Sequence, residues 1–286
     1  MTEFKPIKEG KVREIYDNGD SLIMVATDRI SAFDVILNSE IPGKGVALNS
    51  LSNFWFSYTS DIVPNHLVST SLEDFPAEFQ QNPEFYRDRT VLVKKLQMLP
   101  YEFIVRGYLF GNMWEAYRQG KAFCGRRLSG TYQQAEQLAE PIVTPSKKAA
   151  AGHDEYISIE QLKDEIGEEL TQKICALSLE LYHRCYQHAK TRGILIADTK
   201  FEFGFAPSGE LTLGDEIFTP DSSRFWDAAC YKVGESPKSY DKQFVRDWLI
   251  QNGLNGKEPA PALPDEVISK TAQIYRECLS KIVGVR

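Results

Sequence analysis

Three charged residues alternate along one predicted strand in a pattern that suits chemistry better than packing. Asp198, Lys200 and Glu202 lie two residues apart within the segment 194–205, interleaved with Thr199 and phenylalanines. Because successive side chains of a strand point to opposite faces, the charges share one face and the aromatic rings share the other. Strands are depleted in Asp, Glu and Lys, so a face with acid, base and acid predicts a functional role.

A tight turn is predicted to fold this strand back on itself. The residues Ala-Pro-Ser-Gly at 206–209 are typical of a turn. We expect Phe205 to lie opposite Glu210 in the resulting hairpin. This register pairs Lys200 with Asp215 and surrounds one ammonium group with carboxylates. Such a cluster suits a hydrated Mg²⁺ that holds nucleotide phosphates, since Mg²⁺ takes one or two carboxylates plus phosphate oxygens and water. A cross-strand ladder of salt bridges explains the same residues, and hairpin geometry alone leaves both interpretations open.

Residues that could bind phosphate occur at several separate points of the chain. Gly10 allows close approach of a ligand and Lys11 and Arg13 add charge beside it, although a solvated edge strand explains this segment as well. Arg106 ends the apolar run EFIVR and suits bidentate capture of carboxylate or phosphate, with a buried ion pair as the alternative. Further candidates are Ser223 and Arg224 at a turn, and Lys242 and Arg246 four residues apart at a helix start.

An acidic patch flanked by basic points favours phosphoryl transfer involving an anionic substrate. Hydrolysis is less well supported, because the sequence has no recognisable Ser-His-Asp or Cys-His arrangement. One more segment, TDRISAFD at residues 27–34, follows a predicted buried strand. Polar and small residues just beyond a strand are a frequent place for a binding site, although a solvated turn explains them nearly as well.

Composition limits the classes of protein that need to be considered. The 286 residues are 42% hydrophobic and 26% charged, which is typical of a globular chain, and the net charge of -7 argues against a general nucleic-acid binder. No apolar run approaches the roughly 20 residues of a membrane span, and the N-terminus resembles neither a signal nor a transit peptide. Five scattered cysteines without CxxC predict reduced thiols and a cytoplasmic location.

The predicted elements are strands first and a mixture of strands and helices afterwards. Strands are expected at KVREIYD and SLIMVAT around an Asn18-Gly19-Asp20 turn, then at TVLVKKLQML and PYEFIVRGYLF. A long loop is expected over residues 125–156. Helices are predicted after a Ser158–Gln161 capping box, over roughly 168–193, and in two C-terminal segments. This order predicts an α+β fold with an N-terminal antiparallel β lobe, and neither GxGxxG nor GxxxxGK[ST] occurs.

Eight segments in order make the chain similar to one family. They are GKVREIYD, VATDRISAFDVI, IPGKGVALNSLSNFWF, PYEFIVRGYLFG, TPSKKAAAGHDEYIS, ILIADTKFEFGF, LGDEIFTPDSSRFW and KSYDKQFVRDWL. Together they resemble the SAICAR synthetases (phosphoribosylaminoimidazole-succinocarboxamide synthases), in the longer, yeast-like branch. The resemblance implies a ligase of purine biosynthesis that uses ATP and Mg²⁺. Such an enzyme joins L-aspartate to carboxyaminoimidazole ribonucleotide (CAIR), and the reaction is expected to proceed through an acyl phosphate intermediate.

The resemblance also implies which parts of the chain bind each ligand. Residues 1–98 are expected to form a kinase-like nucleotide lobe and 99–286 a substrate and metal lobe, with the nucleotide in the cleft between them. The protein is expected to act as a monomer or small homo-oligomer on small molecules, without nucleic acid or membrane partners. The implied site residues are Lys11, Arg13, Lys94, Leu96 and Met98 for ATP; Glu202 and Asp215 for Mg²⁺; Lys200 and Asp198 between nucleotide and substrate; Arg106, Arg224, Asp241, Lys242 and Arg246 for the ribonucleotide; and Ser146, Lys147, His153 and Asp154 near aspartate and the imidazole.

Two residues depart from the family pattern. Asn112 stands where shorter members carry a serine that contacts substrate, and Arg13 stands where lysine also occurs. Two other functions remain as alternatives. A small-metabolite kinase could use the same Mg-ATP site, and a non-catalytic module could bind nucleotide without turnover.

Overall fold

The structure, a computed structural model, describes residues 4–149 and 154–284. Two larger antiparallel sheets, one two-stranded hairpin and surrounding helices form this part of the chain, which confirms the α+β prediction. The strands are β1 (Lys8–Glu9), β2 (Arg13–Asn18), β3 (Ser21–Ala26), β4 (Arg29–Ala32), β5 (Val35–Glu40), β6 (Leu67–Ser69), β7 (Thr90–Lys94), β8 (Gln97–Met98), β9 (Tyr101–Tyr108), β10 (Gln137–Lys147), β11 (Glu155–Tyr156), β12 (Ile194–Phe205), β13 (Leu211–Gly214) and β14 (Ser223–Asp227). The helices are α1 (Lys44–Tyr58), α2 (Ala77–Gln80), α3 (Pro83–Tyr86), α4 (Gly111–Arg118), α5 (Ile159–Ile166), α6 (Glu168–Thr191), α7 (Gln243–Gln251) and α8 (Asp265–Val283).

The first sheet has the strand order β1-β2-β3-β7-β6. The predicted hairpin of β2 and β3 is confirmed: Asn18 pairs with Ser21, and Gly19 takes the positive φ of 71° that the turn requires. The single strand predicted over TVLVKKLQML is wrong, because it divides into β7 and β8. The chain leaves the first sheet after Lys94, and Met98 pairs with Gly204 of the second sheet.

The second sheet is built around β12. Its strand order is β11-β10-β9-β12-β13, and β14 and β8 also pair with β12. Thr199, Phe201 and Phe203 are fully buried, which confirms the face predicted as core. The aromatic rings of Phe103 and Phe203 meet edge to face with centroids 5.7 Å apart. One long strand therefore carries both the core face and the charged face.

The predicted hairpin register is wrong by one residue. Phe205 lies opposite Leu211 rather than Glu210, and Glu202 lies opposite Gly214. The backbone N–H of Ala206 donates to the carbonyl of Glu210 at 3.0 Å, which closes the loop with one more residue than the prediction assumed. Strand β13 consequently ends before Asp215, which follows it with a φ of 58°.

The long loop predicted at 125–156 is also partly wrong, because residues 137–147 form β10. Proline lacks the N–H that donates to a neighbouring strand, so within sheets it is usually confined to edges and bulges. Pro141 and Pro145 therefore argued against a strand in this segment. An irregularity between Gln137 and Ile142 accommodates the first proline, and pairing with β9 is regular from Ile142 onward. The capping box at Ser158 is confirmed.

Helix α1 lies where the two sheets and the C-terminal helices meet. It packs on β3 and on α8, and its Leu51 and Trp55 belong to the same core cluster as Phe201. None of the helices in the described ranges is long and apolar enough to cross a membrane.

A buried ion pair fastens α1 to this junction. Lys44 has no solvent-exposed surface, and its Nζ lies 2.7 Å from Oδ2 of Asp221 in the loop before β14. Tyr275 of α8 donates its hydroxyl to Oδ1 of Asp221 at 2.7 Å, and Nζ of Lys242 lies 3.6 Å from the same oxygen. Burial alone raises the pKa of Asp221, but Lys242 and Lys44 outweigh it and hold that pKa well below its usual range.

We predict that Lys44→Met lowers the free energy of unfolding by about 3 kcal/mol, because it leaves the buried Asp221 carboxylate without its closest cation. The matched control is Lys95→Met, which removes an exposed ion pair to Asp17 and is expected to cost less than about 1 kcal/mol. Chemical denaturation of both variants measures the difference. Equal losses in the two variants would contradict the role given to Lys44.

Candidate active site

Two cavities meet at Lys200. The smaller cavity, about 450 Å³, is lined by Gly10, Arg13, Lys148, Asp154, Glu202 and Asp215. The larger cavity, about 760 Å³, is lined by Phe33, Asp34, Asn112, Arg224, Lys242 and Arg246. Lys11 and Glu216 line both cavities together with Lys200. The charged face of β12 therefore reaches the boundary between two spaces, each large enough for a small ligand.

The ammonium group of Lys200 lies among three carboxylates. Its Nζ is 2.8 Å from Oδ2 of Asp215 and 3.4 Å from Oε1 of Glu102, and it also donates to Glu202. Burial by itself lowers the pKa of Lys200, but the attraction of Asp215, Glu202 and Glu102 outweighs it and raises that pKa well above its usual value. The lysine is therefore charged throughout the physiological range.

Asp215 is held from a second side by Arg13. Nη1 of Arg13 is 2.5 Å from Oδ1 of Asp215, and Nη2 is 2.5 Å from Oε1 of Glu216. Burial works to raise the pKa of Asp215, but Arg13 and Lys200 outweigh it and keep that pKa well below its usual range. The carboxylate is ionised and faces the smaller cavity.

These residues pass a chemical test for Mg²⁺. Glu202 and Asp215 both direct an oxygen to the same ammonium group, so the site already balances positive charge between two carboxylates. Mg²⁺ in nucleotide sites commonly takes one or two carboxylates and completes its shell with phosphate oxygens and water. Among residues 4–149 and 154–284, no group of three or more His, Cys, Asp or Glu is arranged to hold a metal ion. Two carboxylates plus a ligand's phosphates therefore fit the donor set better than an all-protein site.

The lysine that reaches this cluster is Lys148, the residue directly after β10, which the sequence analysis missed. Lys147 was the predicted residue, and its Nζ lies 2.5 Å from Oε2 of Glu165 on α5, whereas Lys148 donates to Glu202. Adjacent side chains of an extended segment point in opposite directions, so only one of two consecutive lysines can face the cavity. Glu102 and Glu216 were missed as well; the alternation of β9 could have indicated Glu102.

Two arginines converge on Asp198 beneath the larger cavity. Nη1 of Arg224 lies 2.5 Å from Oδ2 of Asp198, and Nη1 of Arg106 lies 3.3 Å from the same oxygen. Arg106 is buried, and its Nε donates to Oγ1 of Thr144 at 3.0 Å. Arg224 is partly exposed to the larger cavity, and its pKa is raised, first of all by Asp198. Asp198 therefore orients Arg224, and Arg106 supports Asp198 from within the core.

Gly111 is fitted to this arrangement. It has a φ of 59°, and a Cβ at this position would lie 2.9 Å from Nη2 of Arg224. The absence of a side chain lets the guanidinium group lie directly against the backbone at the start of α4. Asn112, the next residue, faces the larger cavity and donates to the hydroxyl of Tyr156 at 3.2 Å.

Of the remaining residues that were predicted to bind substrate, some line the larger cavity and others are buried. Lys242 and Arg246 line the larger cavity. Asp241 is buried behind them and accepts from the N–H of Gln243 at 2.7 Å, and burial raises its pKa. Ser223 donates its hydroxyl to Oγ1 of Thr199 at 2.8 Å on the buried side of the sheet.

The predicted substrate loop is only partly described. Ser146 is buried in β10, and Asp154 lines the smaller cavity while its Oδ1 accepts from the N–H of Ala149 at 3.0 Å. His153 lies outside the described residues.

The residues predicted to face adenine lie beside the carboxylate cluster. Leu96 and Met98 approach within 3.3 and 3.2 Å of the point where a Cβ on Gly214 would stand, next to Asp215 in the chain. Lys94 is exposed, and its Nζ donates to the carbonyl of Asn65 at 3.4 Å. Gly10 closes a turn, since its N–H donates to the carbonyl of Arg13 at 2.7 Å.

Comparison with known proteins identifies one family over most of the chain. The SAICAR synthetase family model matches residues 6–263. The phosphoribosylaminoimidazole-succinocarboxamide synthase of Chromobacterium violaceum is 50% identical over 286 residues, covering 99% of this chain and 100% of that protein. The corresponding protein of Neisseria meningitidis serogroup C is 50% identical over 284 residues, covering 98% of each.

Solved structures give the same result. The SAICAR synthase of Saccharomyces cerevisiae, solved in complex with SAICAR, superposes with a TM-score of 0.92 at 42% identity and covers 100% of this chain and 97% of that one. A SAICAR synthetase in complex with ADP superposes with a TM-score of 0.72 at 24% identity, covering 98% of each chain, which supports the fold alone. The expected likeness to the yeast-like branch is confirmed, and the chain belongs to the SAICAR synthetase family.

Proposed function

We propose that this protein is the ATP-dependent ligase that joins L-aspartate to CAIR and yields SAICAR, ADP and phosphate. The observation that carries the proposal is the position of Lys200 where the two cavities meet, with ionised carboxylates on one side and an arginine and lysine surface on the other. Family membership and the names of relatives at 50% identity support the same reaction. We place the reaction in the cytoplasm, since all five cysteines are free thiols.

ATP is assigned to the smaller cavity. Gly10, Lys11 and Arg13 contact its phosphates, and the base lies toward Lys94, Leu96 and Met98 in the cleft between residues 1–98 and 99–286. Glu202 and Asp215 hold Mg²⁺, which when bound neutralises phosphate charge.

The ribonucleotide is assigned to the larger cavity. Arg224, Lys242 and Arg246 bind its phosphate, with Asn112 beside them, because guanidinium and ammonium groups are the usual ligands of phosphate. Arg106, Asp198, Asp241 and Ser223 act from behind as positioning residues. L-Aspartate is assigned to the segment from Ser146 to Asp154, including Lys147 and His153, with Lys148 as the lysine that faces the smaller cavity.

The chemistry has two balanced steps. A carboxylate oxygen of CAIR attacks the γ-phosphorus of ATP and the bridging P–O bond breaks, so an acyl phosphate forms and ADP leaves. The neutral amine nitrogen of aspartate then attacks the acyl carbon, and the proton that it loses is taken up by the leaving phosphate. A C–N bond forms, and the C–O bond breaks as phosphate leaves with the electron pair. Lys200 neutralises the phosphoryl group at the boundary of the cavities, and the rest of the site contributes positioning.

The deciding experiment measures ADP formation with Mg-ATP and CAIR in the presence and absence of L-aspartate. Turnover that requires aspartate and gives an amide product is the expected result. Turnover without aspartate and with a phosphorylated product would make the protein a small-metabolite kinase. Nucleotide binding without turnover would leave only a binding module.

We predict that Asp215→Asn lowers kcat by about 100-fold or more, because a ligand of Mg²⁺ that neutralises phosphate charge is lost. Asn has nearly the same shape, so the circular dichroism spectrum should remain that of the wild type. The control is Asp17→Asn at the exposed pair with Lys95, which should retain full activity. Normal turnover by Asp215→Asn would overturn the metal assignment.

We predict that Arg224→Ala raises the KM for the ribonucleotide by about 10-fold or more and leaves the KM for ATP nearly unchanged. The loss of one charged hydrogen-bonding partner corresponds to about 1.5–3 kcal/mol. Arg184→Ala is the control, since Arg184 pairs with exposed Asp61 and lines neither cavity. An equal rise in both KM values after Arg224→Ala would count against the division of substrates between the cavities.

A further inference from the structure

Two residues near the start of the segment TDRISAFD contact the turn that joins β1 to β2. This turn runs from Gly10 to Arg13, and the N–H of Gly10 closes it by donating to the carbonyl of Arg13 at 2.7 Å. Lys11 and Val12 form its tip, and each of them lines both cavities. The tip therefore borders the space assigned to the nucleotide phosphates.

Thr27 binds the carbonyl of Val12 with two donors. Its backbone N–H donates to this oxygen at 2.9 Å, and its hydroxyl donates at 3.0 Å. Thr27 is buried directly after β3, so the core fixes the position of both donors. A carbonyl oxygen has two lone pairs, and one residue uses both of them here. The carbonyl of Val12 is therefore directed at Thr27.

Arg29 binds the carbonyl of Gly10 on the other side of the tip. Its Nη2 donates to this oxygen at 3.2 Å, and its Nη1 donates to Oε1 of Glu14 at 3.1 Å. The hydroxyl of the buried Tyr16 donates to the other carboxylate oxygen of Glu14 at 3.0 Å. A planar guanidinium group presents its donors in a fixed geometry. Glu14 consequently orients the group that holds Gly10.

These contacts separate the acceptors of the turn from its donors. The carbonyls of Gly10, Val12 and Arg13 all accept from protein donors. In the described part of the chain, no protein group accepts from the N–H of Lys11 or Val12. Successive N–H groups of a turn bind anions, whereas the partial negative charge of a carbonyl oxygen repels them. The turn thus offers donors to a phosphate as long as its carbonyls stay engaged.

We infer that Thr27 and Arg29 are positioning residues of the nucleotide site, which hold the turn so that the N–H groups at its tip bind the phosphates of ATP. The inference rests on the proposed function, which assigns these phosphates to the smaller cavity, and it adds two residues that act through the turn. Without Arg29, the carbonyl of Gly10 loses its partner and can turn toward the phosphates. Without the hydroxyl of Thr27, one donor instead of two holds the carbonyl of Val12.

The test is calorimetric titration of Arg29→Met and Thr27→Val with ADP in the presence of Mg²⁺ and with adenosine, which has the base and ribose but no phosphate. We expect Arg29→Met to raise the Kd for ADP by about 10-fold, because a charged hydrogen bond to the turn is lost. Thr27→Val should raise it by about 3-fold, since one neutral hydrogen bond is lost and the backbone donor remains. The Kd for adenosine should be unchanged in both variants.

Two further variants separate this effect from a general loss of structure. Thr27→Ser retains the hydroxyl, so it should bind ADP with the affinity of the wild type. Arg87→Met removes an exposed arginine shortly before β7 that lines neither cavity, and both Kd values of this variant should match the wild type. Thermal unfolding of each variant verifies that the titrated protein is folded.

The outcomes are distinct. An unchanged Kd for ADP in folded Arg29→Met and Thr27→Val would overturn this inference. An equal rise in the Kd values for ADP and adenosine would also overturn it, because the disturbance would then extend beyond the phosphates. Wild-type protein that binds ADP but forms no amide from CAIR and aspartate would contradict the proposed ligase alone. The titrations with ADP and adenosine would still decide the role of Thr27 and Arg29 in that case.

Discussion

The attraction between one ammonium group and three carboxylates determines the rest of this site. Lys200 lies on the charged face of a strand whose other face is the aromatic core, so its position is fixed by the packing of residues such as Phe201. Burial of these charges is tolerated only because they neutralise one another. The same requirement explains why Arg13 reaches Asp215 from the first sheet. Both sheets therefore contribute to one balanced cluster of charges. Under the proposed function, the phosphates of a nucleotide would replace some of these ionic partners.

Side-chain alternation made the charged strand predictable from the sequence. The period of two assigned Thr199 and Phe201 to the core and Asp198, Lys200 and Glu202 to the opposite face, and the structure has this division. Hairpin register was not predictable in the same way. It depends on which backbone groups close the loop, here Ala206 with Glu210, and residue types do not determine that choice. The contact between Lys200 and Asp215 nevertheless forms, because a lysine side chain is long enough to compensate for a shift of one residue.

Contacts between residues far apart in the sequence account for the other differences between the predicted and the observed site. Arg106 could be identified as important from its place at the end of an apolar run. Its buried position behind Asp198 also involves a hydrogen bond to Thr144 of β10, and that strand was not predicted because it contains prolines. Predicting which of Lys147 and Lys148 faces the smaller cavity required knowledge of which side chains of that strand point toward the cavity. Roles that depend on which side of a sheet a residue faces are accessible from sequence only when the strand itself is recognised.

The carboxylate of Asp221 contacts residues of the core and a residue of the candidate site, so substitutions in one region affect the other. One oxygen contacts the fully buried Lys44, and the other contacts Tyr275 and lies near Lys242, which borders the larger cavity. A substitution that alters the core on one side of this group shifts the charge balance on the other. Under the proposed assignment of the larger cavity, thermal stability and ligand affinity are therefore expected to be coupled. Variation at Lys44, Asp221, Lys242 and Tyr275 among relatives should then occur jointly rather than one residue at a time.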